Sequence, residues 1–215
     1  MDYCCKTTYD NTFDLKQARK EMAQYLKTGP KKSTKYLLKP LQERAPVEGS
    51  LLDIGGGVGA LIWELLDNGI DQAYYFEISD AYSKVFKEQV VSRSVEKKVN
   101  ILTGDFTEHH RSLPQVDVVT MDKVICCYQD YRPLVKLSLQ KARKVYAYTI
   151  PRDIWWVKAV NKVESLVKSL SNYLRTHIHP TAEIEEMVVS QGFKKIYQKT
   201  HREWLTVIYS KGLKD

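Results

Sequence analysis

The segment SLLDIGGGVGALIWELL, from Ser50 to Leu66, constrains the fold more than any other part of the chain. It runs from a short apolar stretch, through four glycines between residues 55 and 59, into a stretch with an apolar helical face. Glycine lets the backbone turn sharply and approach a ligand, and the amides of a helix N-terminus face that ligand. This order of strand, glycines and helix predicts a ligand-binding turn, with a plain tight turn as the alternative.

The chain beyond this turn alternates predicted strands and helices. Strands are predicted in QAYYFEIS, KVNILTGDF, VDVVTMD and KVYAYTI, with helical patterns between them. This alternation predicts an α/β fold, in which helices cover both faces of a parallel sheet. The last two predicted strands, FKKIYQKT and WLTVIYS, are separated only by HRE, which allows a hairpin but no helical crossover. We therefore expect a mostly parallel sheet that ends in an antiparallel pair.

Composition limits the class of protein. A chain of 215 residues that is 43% hydrophobic suits one full-sized domain with some added helices. No apolar run is long enough to span a bilayer, and the first residues lack the apolar region of a signal peptide, so we expect a cytoplasmic protein without a membrane partner. The net charge of +7 is spread along the chain and predicts a solvated surface, with an anionic substrate as the sharper interpretation. No nucleic-acid-binding module is evident.

The glycine pattern fits two nucleotide cofactors. Gly55-x-Gly57-x-x-Ala60 nearly matches the fingerprint of proteins that bind NAD. Gly55-x-Gly57-x-Gly59, with Asp53 two residues earlier, fits the loop that binds S-adenosyl-L-methionine instead. Both interpretations require an acid at the end of the second strand.

Acidic residues at the ends of four predicted strands separate these interpretations. Glu77 ends the second strand, where its carboxylate can accept hydrogen bonds from a ribose diol. Asp105 follows the third strand, where it can accept from an adenine amine while Phe106 packs on the ring. Asp122 ends the fourth strand, and Asp53 the first. Ligands of open α/β sheets bind outside these carboxyl ends, so the four acids together favour S-adenosylmethionine, as does the terminal hairpin.

Taken together, these motifs resemble those of class I S-adenosylmethionine-dependent methyltransferases. LLDIGGGVGA, FEIS, GDF, VDVVTMDKV and GFKKIY…WLTVIYS follow the family's order from Ser50 to the C-terminus. MDKVICCYQDYRPLV, with YTIPRDIWWV and HIHP downstream, is similar to a bacterial subgroup and has some likeness to magnesium-protoporphyrin O-methyltransferases. The resemblance implies a Rossmann-like fold with a seven-stranded sheet, and methyl transfer to an oxygen or nitrogen of a small-molecule acceptor.

The resemblance also implies a set of cofactor contacts and a division of the chain. The implied contacts are Gly55, Gly57 and Gly59 at the amino-acid end of the cofactor, Glu77 and Ile78 at the ribose, Asp105 and Phe106 at the adenine, and Asp122, Lys123 and Val124 beside the methionine portion. We expect residues 1–45 to form a helical lid over the substrate, and residues 46–215 to form the cofactor-binding domain.

Two pairs of adjacent cysteines, Cys4 with Cys5 and Cys126 with Cys127, leave three interpretations open. Zinc sites usually space their cysteines by two to four residues, which adjacent pairs do not match. A nucleophilic thiol needs a base nearby. A small apolar residue that lines a pocket needs neither, so we favour that interpretation and expect no metal.

Several residues are candidates for the chemistry itself. His179 in HIHP can act as a general base, although it can equally precede a helix, and Tyr128 can assist it. Candidate substrate contacts are Cys127, Tyr131, Arg152 and Trp156. An NAD-dependent oxidoreductase and a cofactor-binding partner protein without catalysis remain as alternatives. The sequence does not identify the acceptor or the oligomeric state.

Overall fold

The computed structural model describes residue 9 and residues 12–45, 47–169 and 174–212, with residues 163–169 described by their backbone alone. In chain order the elements are α1 (Leu15–Thr28), α2 (Lys32–Arg44), β1 (Gly49–Ile54), α3 (Ala60–Leu66), β2 (Ile70–Glu77), α4 (Asp80–Ser92), β3 (Val99–Thr103), α5 (Phe106–His109), β4 (Val116–Asp122), α6 (Arg132–Leu139), β5 (Ala142–Pro151), α7 (Trp155–Ser169), α8 (Thr181–Ser190), β6 (Lys194–His201) and β7 (Trp204–Ser210). Short 3₁₀ turns occupy residues 110–112 and 125–127.

The strands within the described ranges form one seven-stranded sheet with the order β3-β2-β1-β4-β5-β7-β6. Strands β1 to β5 pair in parallel, whereas β7 lies antiparallel between β5 and β6. This topology confirms the predicted Rossmann-like α/β fold with its terminal antiparallel hairpin. Strand β1 leads outward to β2 and β3, whereas β4 lies on its other side, so the strand order reverses between β1 and β4. Ligands of such sheets bind at the carboxyl ends of the strands beside this reversal.

Two layers of helices cover the sheet. On one face, Leu51 of β1 and Tyr75 of β2 share a buried cluster with side chains of α1 to α4, including Phe86. On the other face, Leu52 and Phe76 share a second cluster with side chains of α5, α6 and α8. Burial on both faces explains why β4 is apolar throughout most of its length.

The N-terminal helices are part of the first layer. Helix α1 begins after Asp14, whose side chain accepts a hydrogen bond from the amide of Gln17 at 2.7 Å. Such a cap contributes about 1 kcal/mol to helix stability. Met22 of α1 and Leu41 of α2 are buried in the same cluster as α3 and α4. These helices therefore pack against the α/β domain along their apolar faces.

Helix α7 follows the end of β5. Its first two residues, Trp155 and Trp156, are both exposed. Within the described ranges, no helix combines the length and the apolar character needed to cross a membrane.

Candidate active site

A cavity of about 330 Å³ lies at the carboxyl ends of β1, β2 and β4, under the N-terminal helices. We call it the central cavity. Its described lining residues are Tyr9, Phe13, Glu21, Tyr25, Gly29, Lys31, Thr34, Asp53, Ile54, Gly55, Gly56, Gly57, Val58, Ala60, Leu61, Phe76, Glu77, Ile78, Tyr82, Gly104, Phe106, Asp122, Lys123, Val124, Cys127 and Tyr128.

The glycine turn forms the floor of the central cavity between β1 and α3. Gly55 has a φ of +69°, and a Cβ atom there would lie 2.4 Å from Cγ2 of Val124. Gly57 has a φ of +55° and also lines the cavity. Gly59 caps α3 with a φ of +76° and lies outside the described lining. Residues that carry a side chain rarely adopt these positive φ angles, so the shape of the turn favours glycine at all three positions. The close packing against Val124 also requires glycine at Gly55.

Glu77 joins the glycine turn to the end of β2. Its Oε2 accepts from the amide of Gly57 at 2.9 Å, and its Oε1 accepts from the amides of Ile78 at 2.8 Å and Ser79 at 3.0 Å. Burial raises the pKa of Glu77, and these backbone hydrogen bonds oppose that shift. A carboxylate offers about four acceptor sites, so about one is left for a ribose hydroxyl.

Two further carboxylates flank the turn. Asp53 is buried and accepts a hydrogen bond from Oγ1 of Thr120 at 2.7 Å, and its burial raises its pKa to about 7. Asp122 Oδ2 accepts from Thr34 Oγ1 at 2.9 Å and from Lys123 Nζ at 3.3 Å. Asp122 Oδ1 is buried and has no hydrogen-bond partner in the described part of the chain. A buried acceptor without a hydrogen bond lowers the free energy of unfolding by about 1–3 kcal/mol. This oxygen therefore suits a ligand that supplies an N–H donor.

The N-terminal segment forms the opposite wall of the central cavity. The hydroxyl of Tyr9 donates to the carbonyl of Cys127 at 3.2 Å, and Tyr9, Phe13 and Tyr25 line the space with their rings. Lys31 forms an ion pair with Glu21 at 2.7 Å. Sequence reasoning placed a lid here but missed these individual residues, because the apolar spacing of a helix does not show which ring reaches a cavity.

The loop after β4 closes one side of the cavity. Lys123 adopts a φ of +66°, and its Nζ donates to Ser33 Oγ at 2.9 Å. Cys126 is buried and Cys127 half-buried, and their Sγ atoms donate to the carbonyl of Lys123 at 3.4 and 3.6 Å. Cys127 and Tyr128 line the cavity.

The metal hypothesis concerns the four cysteines. Across the described ranges, no group of three or more metal-ligating side chains is present. Cys4 and Cys5 lie outside the described residues, so the predicted absence of a metal stays a prediction.

The predicted adenine contacts divide into two kinds. Phe106 lines the cavity and packs edge-on against Phe76, with ring centres 5.4 Å apart. Asp105 lies behind the lining, where its Oδ1 accepts from the amide of Thr107 at 2.8 Å and from the hydroxyl of Tyr128 at 3.1 Å. Asp105 therefore caps α5 and anchors Tyr128.

The remaining predicted residues lie outside the described lining of the cavity. His179 is buried, with its Nε2 2.9 Å from the carbonyl of Tyr128. The hydroxyl of Tyr131 donates to Glu183 at 2.8 Å. Arg152 donates to the carbonyl of Arg202 at 3.0 Å, and Trp156 is exposed on α7. Their predicted catalytic and substrate roles stay predictions.

The fold and the glycine turn define a class of nucleotide-binding enzyme, and comparison with known proteins identifies it. The profile of the O-methyltransferase domain matches residues 6–147. The chain belongs to this family and is an S-adenosylmethionine-dependent methyltransferase. The match favours neither an NAD-dependent oxidoreductase nor a partner protein without catalysis. A search of curated proteins returned no match.

Solved structures share the fold at low sequence identity. Magnesium protoporphyrin IX methyltransferase from Synechocystis PCC 6803, with bound S-adenosylhomocysteine, has a TM-score of 0.62 and 14% identity, over 92% of this chain and 83% of that one. An O-methyltransferase family protein from Burkholderia thailandensis has a TM-score of 0.69 and 12% identity, over 92% and 60%. Human N-acetylserotonin methyltransferase, in complex with S-adenosylmethionine, has a TM-score of 0.61 and 18% identity, over 95% and 58%. The chain thus spans less than two thirds of the last two proteins.

Proposed function

We propose that the protein methylates an oxygen or nitrogen atom on a small acceptor that carries an aromatic ring. The central cavity is the observation that carries this proposal. One side of it presents the glycine turn and the acids of β1, β2 and β4. The other side presents the rings of Tyr9, Phe13 and Tyr25, with Tyr82 beside them. Rings of this kind favour a flat, apolar partner by stacked and edge-on contacts.

The residues at the glycine turn fit the cofactor. S-adenosylmethionine supplies a methyl group activated by a positively charged sulfur. Asp122 would receive its ammonium group at the buried Oδ1, Glu77 would receive a ribose hydroxyl, and Phe106 would pack beside the adenine. The turn at Gly57, where a Cβ atom would meet nothing closer than 3.9 Å, leaves room for close approach of the amino-acid end.

The main contribution of the protein is positioning. Alignment of a nucleophile with the methyl group can lower the barrier by about 7–11 kcal/mol. The described part of residues 1–45 acts as the lid that holds the acceptor and excludes water, and residues 46–215 hold the cofactor. Burial raises the pKa of the cavity residues Tyr9 and Tyr128, and it would do the same for a phenolic acceptor. A phenol in this cavity therefore needs help to lose its proton.

The charged residues that line the cavity bear on the charge of the acceptor. Both lysines that line the described cavity already face carboxylates, since Lys31 pairs with Glu21 and Lys123 with Asp122. We therefore favour a neutral ring over the anionic acceptor suggested by net charge. A cytoplasmic location stays a prediction.

The test is a panel of acceptors with methyl-labelled S-adenosylmethionine, read by mass spectrometry. The panel contains phenols, catechols, aromatic amines, aromatic carboxylates and aliphatic amines of similar size. We expect methylation of neutral ring acceptors and little of the aliphatic ones. Replacement of Phe13 by Ala should raise the acceptor KM and leave the Kd for S-adenosylhomocysteine within about threefold, since Phe13 lies on the acceptor side. Methylation confined to aliphatic acceptors would contradict the proposal.

A further inference from the structure

The HIHP segment, residues 177–180, runs beside the loop that follows β4. We call residues 125–128 of that loop the cysteine loop. The backbone amide of His177 donates to the carbonyl of Cys126 at 2.7 Å. Two residues later, Nε2 of the His179 ring lies 2.9 Å from the carbonyl of Tyr128. The segment thus holds two alternate carbonyls of the cysteine loop, one by its backbone and one by an imidazole.

The cysteine loop is fixed from other directions as well. The hydroxyl of Tyr9, in the N-terminal segment, donates a hydrogen bond to the carbonyl of Cys127. The hydroxyl of Tyr128 donates a hydrogen bond to the carboxylate of Asp105, before α5. These partners come from distant parts of the chain. Cys127 and Tyr128 line the central cavity. The hydrogen bonds to the loop carbonyls therefore fix the position of the cavity wall that these two residues form.

The ring of His179 is poorly placed to act as a base. It is buried and lies outside the described lining of the cavity, with its ring centre 4.4 Å from that of Tyr131. A general base must lie within hydrogen-bond reach of the proton that it removes. A carbonyl only accepts hydrogen bonds, so Nε2 of His179 must already carry a proton in order to bind it. The nitrogen that is directed at the loop is therefore a donor.

We infer that His179 is a positioning residue that fixes the wall formed by Cys127 and Tyr128, and that it does not remove the acceptor's proton. This inference rests on the proposed function for its effect on turnover. Its structural part, the restraint of the cysteine loop, holds whatever the acceptor is. Burial lowers the pKa of His179, while hydrogen bonds to the backbone of Tyr128 and Ile125 oppose that shift. The proton that this contact requires on Nε2 is present both in the protonated ring and in the neutral ring with its proton on Nε2.

Three variants test this role. His179→Gln keeps an amide donor near the position of Nε2 but cannot act as a base. His179→Ala removes the donor. His177→Ala is the matched control, because His177 holds the loop by its backbone amide and that amide remains. If His179→Ala does not fold, His179→Asn replaces it, because its shorter amide cannot reach the carbonyl of Tyr128.

The first readout is hydrogen exchange of residues 124–130, in the free protein and with saturating S-adenosylhomocysteine. Loss of one hydrogen bond changes an equilibrium by about two- to tenfold. We therefore expect exchange at Cys127 and Tyr128 to rise by up to about tenfold in His179→Ala, and to stay near wild type in the other two variants. Unchanged exchange in His179→Ala would overturn the inference.

The second readout is turnover of the best acceptor from the panel, with its pH profile. We expect His179→Ala to raise the acceptor KM by up to about tenfold, while His179→Gln keeps kcat and the pH profile of the wild type. A loss of about a hundredfold or more in kcat for His179→Gln, with the loop still protected, would identify His179 as the base and overturn the inference. Failure of the wild type to bind S-adenosylhomocysteine would instead count against the proposed function. It would leave the inference about the loop intact, because hydrogen exchange in the free protein tests the loop without the cofactor.

Discussion

The two sides of the central cavity are built in different ways. On the cofactor side, neighbouring strands and one turn supply the contacts, as when Glu77 accepts from the amide of Gly57. On the lid side, single side-chain hydrogen bonds join distant parts of the chain, such as Thr34 to Asp122 and Tyr9 to Cys127. The first side is held by backbone geometry, and the second by side-chain hydrogen bonds together with the apolar packing of α1 and α2.

This difference determines how strongly a single substitution should act on each side of the cavity. The cofactor side depends on close packing and on positive φ angles, which leave few alternatives. A neutral hydrogen bond on the lid side contributes about 0.5–1.5 kcal/mol, so its loss should alter the lid locally while the apolar packing of α1 and α2 keeps the helices in place. We therefore expect large effects from single changes on the cofactor side, and smaller effects, specific to the acceptor, on the lid side.

The largest expected effect comes from Gly59→Ala. A Cβ atom there would lie 2.2 Å from Cε2 of the buried Phe86, and the φ of Gly59 is +76°. Left-handed backbone costs about 1–2 kcal/mol and overpacking of a core about 1–3 kcal/mol. We expect the free energy of unfolding to fall by about 3 kcal/mol or more, measured by urea titration.

Gly57→Ala is the matched control for this change. Gly57 also has a positive φ, but a Cβ atom there would meet nothing closer than Cδ1 of Tyr82 at 3.9 Å. We expect a loss of only about 1 kcal/mol, because the backbone cost remains without the clash. Equal losses in the two variants would show that packing behind the turn does not make it rigid.

The second expected effect is a pH dependence on the cofactor side, through Asp53. Its pKa is about 7 in the folded protein, against about 3.9 in an unfolded chain. Between these values the folded protein binds a proton that the unfolded chain has lost, so the free energy of unfolding falls as pH rises. In Asp53→Asn this loss disappears, while the amide oxygen can still accept from Thr120.

We therefore expect the stability advantage of Asp53→Asn over wild type to grow from about pH 4 to about pH 7 and to level off above about pH 8. Thermal unfolding of both proteins across that range measures it, and the difference between them removes the titration of other groups. A difference that stays constant with pH would mean that Asp53 is solvated in the folded protein.

Much of the fold could be predicted because its signals are local. The apolar run VDVVTMD is a strand buried on both faces, and the three residues of HRE leave room only for a hairpin. The glycine turn was predictable for the same reason, because glycine is the residue that adopts a positive φ without steric cost, and it is visible in the sequence at each such position. The parallel pairing of β1 to β5 follows from the alternation of strands and helices, whereas the order of the strands comes from the structure.

The lid side was predictable only in outline. Apolar spacing predicted helices before residue 45, but a ring at Phe13 or Tyr25 looks the same whether it fills a core or lines a cavity. The position of Asp105 shows a second limit, because a carboxylate can cap a helix as well as bind a ligand; it caps α5, and its contact with adenine stays a prediction. His179 shows a third, since the partner of an imidazole depends on tertiary contacts that leave no local pattern.

The smallest expected effect, Thr34→Val, tests the lid side directly. It removes the hydrogen bond from Oγ1 to Asp122 and nearly preserves shape. We expect the acceptor kcat/KM to fall by about tenfold, the low end for a lost hydrogen bond to a charged group. The Kd for S-adenosylhomocysteine should change by less than about threefold, because Oδ1 of Asp122 and the glycine turn are untouched.

Thr28→Val is the control for the lid experiment, because among the described residues the hydroxyl of Thr28 bonds within α1, to the carbonyl of Gln24 on the exposed side. It should leave both constants unchanged. Titration calorimetry for the cofactor product and initial rates for the acceptor give the two values. If Thr34→Val weakened cofactor binding as much as acceptor turnover, the two sides of the cavity would be one mechanical unit. The contrast between the two sides of the cavity would then be wrong.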